Sequence, residues 1–148
     1  MSAAAGPRLD RIQVNGVSLG YAEWHADLRG RAPTLLLVHA TGFHSRVWDQ
    51  MISHLPARHI VAVDQRGHGR SDTTDLTGWP VFGRDLAAFV TALDLHELIG
   101  AGHSMGAHAL VQAAAYEPDR FQRLVLLDPV IAAPAAYHLP PAFAPGEM

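Results

Sequence analysis

With 148 residues, 49% of them apolar and only 17% charged, the chain is long enough for one packed domain and too apolar to be disordered. A net charge of -3 leaves no basic footprint, so neither nucleic acid nor an anionic membrane surface is an expected partner. There is no cysteine, which excludes disulfides and thiolate metal sites and fits a reducing compartment.

The N-terminus, Met1 to Pro7, lacks the charged region and apolar stretch of a signal peptide. The longest apolar runs are interrupted by Asp64 or Asp128 and fall short of the roughly 20 residues of a membrane helix. A cytoplasmic location is the expectation. Arg11 to Asn15 and Val17 to Trp24 flank Asn15-Gly16, a two-residue hairpin signal. Asp27 to Pro33 reads as loop, and Thr34 to His39 as a strand covered on both faces. Ala40 to Ser45 is turn-rich, Val47 to Leu55 has helical spacing closed by Pro56, and Ile60 to Asp64 is the next buried strand. Gln65 to Gly78 reads as loop. Phe82, Leu86, Phe89, Val90 and Leu93 then form the stripe of an amphipathic helix. Leu98 to Ala101 reads as a short strand, Met105 to Tyr116 as a helix ended by Pro118, and Leu124 to Leu127 as one more strand. Strands alternating with helices predict an α/β domain: a mostly parallel sheet flanked by helices, with the hairpin as its antiparallel edge. Residues 1–131 are assigned to this core and residues 132–148 to a Pro/Ala-rich tail, read as a linker or the first steps into a lid segment.

Gly102-His103-Ser104-Met105-Gly106 lies at the turn from strand to helix. A serine there has its hydroxyl held out, and glycines two before and two after it remove Cβ atoms that would collide. The competing reading is an N-cap serine, for which those glycines are superfluous. Two further motifs each follow a predicted strand: His39-Ala40-Thr41-Gly42-Phe43 and Asp64-Gln65-Arg66-Gly67-His68-Gly69-Arg70-Ser71.

In that order and spacing, the three motifs resemble the serine-nucleophile, esterase/lipase-like branch of the α/β-hydrolase fold superfamily, over residues from about 10 to 131. The resemblance implies Ser104 as nucleophile and an oxyanion hole made by the backbone N–H groups of Met105 and Thr41; no cofactor is expected, and ten histidines without a paired i, i+4 ligand motif give no reason to expect a metal. Ala40 stands where relatives commonly have glycine, so Gly42 is expected to supply the loop's backbone freedom. His39 is expected to buttress that loop, and the Asp64 to Ser71 segment to be a structural turn tied by Asp64 and Arg66. His103 is expected to pack beside the sheet. His108 and His138 read as solvated or core histidines. Asp128 is a candidate triad acid, with the alternative of a strand-end carboxylate capping a turn before Pro129.

Triad order in this fold is Ser, then Asp or Glu, then His, which implies a catalytic histidine beyond Met148. The chain is thus expected to be an incomplete N-terminal portion of a hydrolase core, weakly active or inactive on small-molecule ester or related acyl substrates. A carbon–carbon bond hydrolase of the same fold is one alternative, and a non-catalytic binding protein or inactive fragment is another. A serine at 104 argues against the dehalogenase and epoxide-hydrolase branches, whose nucleophile is a carboxylate. The Leu124 to Leu127 strand is expected at the sheet edge, apolar and open to self-association.

Overall fold

The computed structural model describes residues 6–74, 76 and 78–135. The His138 reading therefore lies outside the described residues. Among the described residues, six strands form one sheet in the order β1-β2-β4-β3-β5-β6. β1 (Arg8–Val14) and β2 (Val17–Trp24) are the hairpin, and β2 also runs antiparallel to β4 (Ile60–Val63). Between the hairpin strands Asn15 and Gly16 both take positive φ, 47° and 77°, the two-residue turn whose twist matches that of the strands. From β4 onward all pairings are parallel, through β3 (Thr34–Val38), β5 (Leu98–His103) and β6 (Phe121–Leu127).

Period-two alternation splits the core between the two faces of the sheet. Leu36, Val38, Val61 and Val63 pack with Phe82, Phe89 and Leu110 from α2 (Pro80–Ala92) and α3 (Met105–Tyr116). Leu35, Leu37, Ile60 and Ala62 pack on the other side with Trp48 and Ile52, from a 3-10 turn (Ser45–Trp48) and the short α1 (Asp49–Ser53). Pro80 opens α2, where its missing N–H is no loss. Gly83 lets α2 close on α3, since a Cβ there would strike the Gln112 side chain.

Several element bounds differ from the sequence reading: β1 begins at Arg8 and β5 runs on to His103, and two further differences have visible causes. The helix expected over Val47 to Leu55 begins earlier and is tighter, because His44 Nδ1 accepts from Arg46 N–H and Ser45 N–H is drawn 2.6 Å from Asp64 Oδ1. β6 begins at Phe121, which pairs with Leu98; its polar residues Gln122 and Arg123 are exposed on an edge strand and so left no apolar signal. Val125, Leu126 and Leu127 are exposed on this same edge.

The interior also holds a polar line. His59 is fully buried, with Nδ1 2.8 Å from Thr34 Oγ1 and Nε2 2.8 Å from Glu23 Oε1, while the other Glu23 oxygen accepts from Arg8. It joins the hairpin to the parallel strands and satisfies every member. Among the described residues, no helix is long and apolar enough to cross a membrane.

Candidate active site

Parallel pairing sets Val38 beside Gly102 and His103 beside Leu127. The turns after β3, β5 and β6 therefore leave the sheet at one edge, where open α/β sheets bind ligands. Ser104 occupies the middle turn at φ 53°, ψ -112°, a conformation that residues with a side chain rarely take and that the surroundings must impose. Its N–H donates to Leu127 O at 2.9 Å, and its carbonyl accepts from His108 N–H at 3.1 Å. The Ser104 side chain makes no capping hydrogen bond, so the N-cap reading has no support. The residue remains half-buried.

Steric crowding accounts for both elbow glycines. A Cβ on Gly102 would lie 2.7 Å from Ala107 N and from Gly106 C, and a Cβ on Gly106 would run into the Val38 and His39 carbonyls of the neighbouring β3 segment. Strand, turn and helix can approach this closely only with hydrogen at both positions.

After β3, Gly42 takes the left-handed conformation at φ 79° while Ala40 stays out of it. Phe43 N–H closes the turn on Ala40 O at 3.2 Å. Thr41 is brought to the elbow, its hydroxyl donating to Met105 Sδ at 3.5 Å. Underneath lies His39, with no exposed surface. Its Nδ1 donates to Ala40 O at 2.7 Å and its Nε2 accepts from Gln65 N–H at 2.9 Å, while Gln65 Nε2 donates back to His39 O at 2.7 Å. Burial holds the imidazole neutral, its pKa pushed down to about 4. Both ring nitrogens are engaged, so His39 braces the loop and is not free to take a proton.

The Asp64 to Ser71 segment is tied as the sequence suggests. Asp64 Oδ1 accepts from Ser45 N–H and Oδ2 from Arg70 N–H, and a Cβ on Gly69 would collide with that carboxylate. Arg66 grips Asp85 of α2 through two bonds of 2.7 and 2.8 Å, both side chains largely buried, and also reaches Thr74.

One histidine departs from expectation. His103 is exposed, because β5 runs on through it. Gly102 faces α3, so alternation along the strand turns His103 to the opposite face. There it lines a pocket of about 260 Å³ with Ala40, Phe43, Val47 and Trp48. A larger groove of about 690 Å³, lined by residues including Val14, Asn15, Arg84 and Tyr116, shares no residue with the elbow.

Asp128 follows β6 at the same sheet edge as Ser104, exposed and at φ 46°. Val130 N–H approaches Ser104 O at 3.4 Å, and Val130 O lies 3.1 Å from His108 Nδ1. The fold thus brings together Ser104, Met105, Thr41 and the segment carrying Asp128. It also brings in His108, for whose tie to that segment the sequence holds no signal.

The profile of the alpha/beta hydrolase fold family matches residues 33–147. The chain belongs to this family. It is 33% identical over 131 residues to 2-(acetamidomethylene)succinate hydrolase of Mesorhizobium japonicum, covering 86% of this chain and 47% of that protein. It is 35% identical over 101 residues to lipase LipV of Mycobacterium tuberculosis, covering 66% of this chain and 38% of the lipase. Among solved structures, a bacterial membrane phospholipase A superposes with a TM-score of 0.77 at 30% identity, over 88% of this chain and 42% of that one. The chain of this hydrolase-family member spans less than half the length of each of these relatives.

Proposed function

We propose that the elbow is the nucleophilic centre of a serine acyl hydrolase, acting on carboxylic esters or related acyl compounds. Ser104 Oγ attacks the acyl carbon as its proton passes to a base, and the carbonyl oxygen becomes a tetrahedral oxyanion. The backbone N–H groups of Met105 and Thr41 stabilise that charge, a contribution in which loss of one donor typically lowers the rate about 10²–10³-fold. Collapse of the intermediate expels the alcohol or amine with the base's proton, and water then attacks the acyl-serine.

The observation that carries this reading is the backbone of Ser104 at φ 53°, held between two glycines whose neighbours leave no room for a Cβ. Met105 heads α3, so its N–H is among the helix donors without an intrahelical acceptor. Asp128, exposed beside the elbow, is the candidate acid. The base is neither His39 nor His108, whose ring nitrogens are engaged elsewhere. Likeness to a hydrolase named for an acetamidomethylene compound supports widening the substrate class from esters to acyl groups held on nitrogen.

Incubation with p-nitrophenyl acetate followed by intact-mass measurement tests the nucleophile. The chain contains no lysine, so stable acylation away from the site is limited to the amino terminus and the tyrosine hydroxyls. One acetyl group mapping to the Ser104 peptide, and lost in Ser104→Ala, is the expected result. Equal acetylation of both proteins contradicts the assignment.

A further inference from the structure

Asp128 is bracketed by hydrogen bonds to the elbow. On its N-terminal side Leu127 O accepts from Ser104 N–H at 2.9 Å. On its C-terminal side Val130 is held by both of its backbone polar groups, by its N–H to Ser104 O at 3.4 Å and by its carbonyl to His108 Nδ1 at 3.1 Å. The first of these two is long for an N–H···O bond, so the shorter imidazole bond carries most of the hold.

His108 is built for this task. It lies one helical turn after Ser104 on α3, and so on the same side of the helix. Its ring stands edge-on to Trp79 with centroids 5.5 Å apart. Its Nε2 lies 2.9 Å from Gln112 Nε2, an amide nitrogen that can only donate. Nε2 therefore accepts, the ring proton sits on Nδ1, and Val130 O receives it. Trp79 and Gln112 fix the ring's place and tautomer, and the fixed ring holds residues 128–130.

We infer that His108 is a positioning residue, clamping the segment after β6 to the elbow and thereby setting where the Asp128 carboxylate stands relative to the Ser104 hydroxyl. Asp128 sits at φ 46°, a left-handed conformation that aspartate tolerates better than most side chains but that remains the less common one. With Val130 released, residue 128 relaxes toward extended backbone and its carboxylate swings away. The catalytic consequence rests on the serine acyl hydrolase reading; the clamp itself does not.

Two variants separate the clamp from packing. His108→Phe keeps a ring against Trp79 and removes the Nδ1 donor. His108→Asn places an amide N–H near the Nδ1 position. Both deprive Gln112 of its acceptor, and Asn also gives up the ring that Phe keeps against Trp79, so protection restored by Asn but not by Phe comes from the Val130 bond and not from packing. Amide hydrogen exchange by NMR is expected to show Val130 exchanging about tenfold faster in His108→Phe, with Leu36 and Val61 unchanged and most of the protection restored in His108→Asn. Unchanged Val130 exchange in His108→Phe, or no restoration by Asn, overturns the clamp.

The second arm measures fluorophosphonate labelling of Ser104, with imidazole added as base, in His108→Phe, Asp128→Asn and the double variant. Labelling slowed by His108→Phe in the wild-type background but not in Asp128→Asn supports action through Asp128. Equal slowing in both backgrounds overturns that route. Absence of labelling in every protein, wild type included, counts against the acyl hydrolase reading alone, and the exchange data then decide the clamp.

Discussion

Gly106→Ala is expected to lower folding stability by on the order of 3 kcal/mol or more, the heaviest loss from any single methyl added at the elbow. The added carbon would meet the Val38 and His39 carbonyls and Val38 C, all main-chain atoms of the segment that ends β3. A flexible side chain can swing aside, but a central strand paired on both edges cannot. The residue has no positive φ, so the penalty is one of contact alone. Were Gly-x-Ser-x-Gly a chance pattern at an ordinary helix start, the same change would stabilise, because alanine is favoured over glycine within helices by about 1 kcal/mol. The two accounts differ in sign. Urea unfolding of Gly106→Ala decides between them, and a neutral or stabilised variant contradicts the elbow packing described here. Gly16→Ala is the useful contrast: open space surrounds that position, and only its positive φ opposes the change.

Acidification is the second large effect, and His39 is its source. The folded protein holds this imidazole at a pKa of about 4 because it is buried, whereas the unfolded chain holds it near 6.5. Between those values the unfolded state binds more protons, so stability rises with pH. The contribution is complete above about pH 6.5, shrinks as pH falls, and is lost by about pH 4, amounting to about 3 kcal/mol in all. Structure supplies the reason for the direction. A proton on Nε2 would face the Gln65 N–H that now donates to it, so charging the ring both desolvates a cation and breaks a bond. Burial also lowers the pKa of His68, whose ring centroid is 5.0 Å away, and adds to the trend in the same direction. Urea unfolding of wild type and His39→Gln between pH 7.5 and pH 4 isolates the His39 share. The stability difference is expected to narrow on acidification, and parallel curves contradict the assignment.

Much of this molecule was legible because its causes are local. The apolar runs at β3 and β4 announce strands covered on both faces, and Leu36 and Val61 are indeed fully buried. Asn15-Gly16 declares its own turn, and the elbow glycines declare the crowding around Ser104. What stayed hidden depends on partners distant in sequence. Ser45 tightens into a 3-10 turn under the pull of Asp64, nineteen residues on. The buried line from Thr34 through His59 to Glu23 links three segments, none of which marks itself as polar interior. His103 was misplaced because its direction depends on β5 continuing two residues beyond Ala101. His108 looked like an ordinary helix residue until the fold set Val130 against it, twenty-two positions away.

Function at this site requires Ser104 to be presented as a nucleophile beside donors that stabilise an oxyanion. Fluorophosphonate labelling at increasing imidazole concentration, with the adduct mapped by mass spectrometry, tests this most directly, since the added imidazole supplies a base that His39 and His108 do not. The expected result is a single adduct on Ser104, formed faster as imidazole rises and missing from Ser104→Ala. Labelling at another residue, or none at any imidazole concentration, would contradict the account.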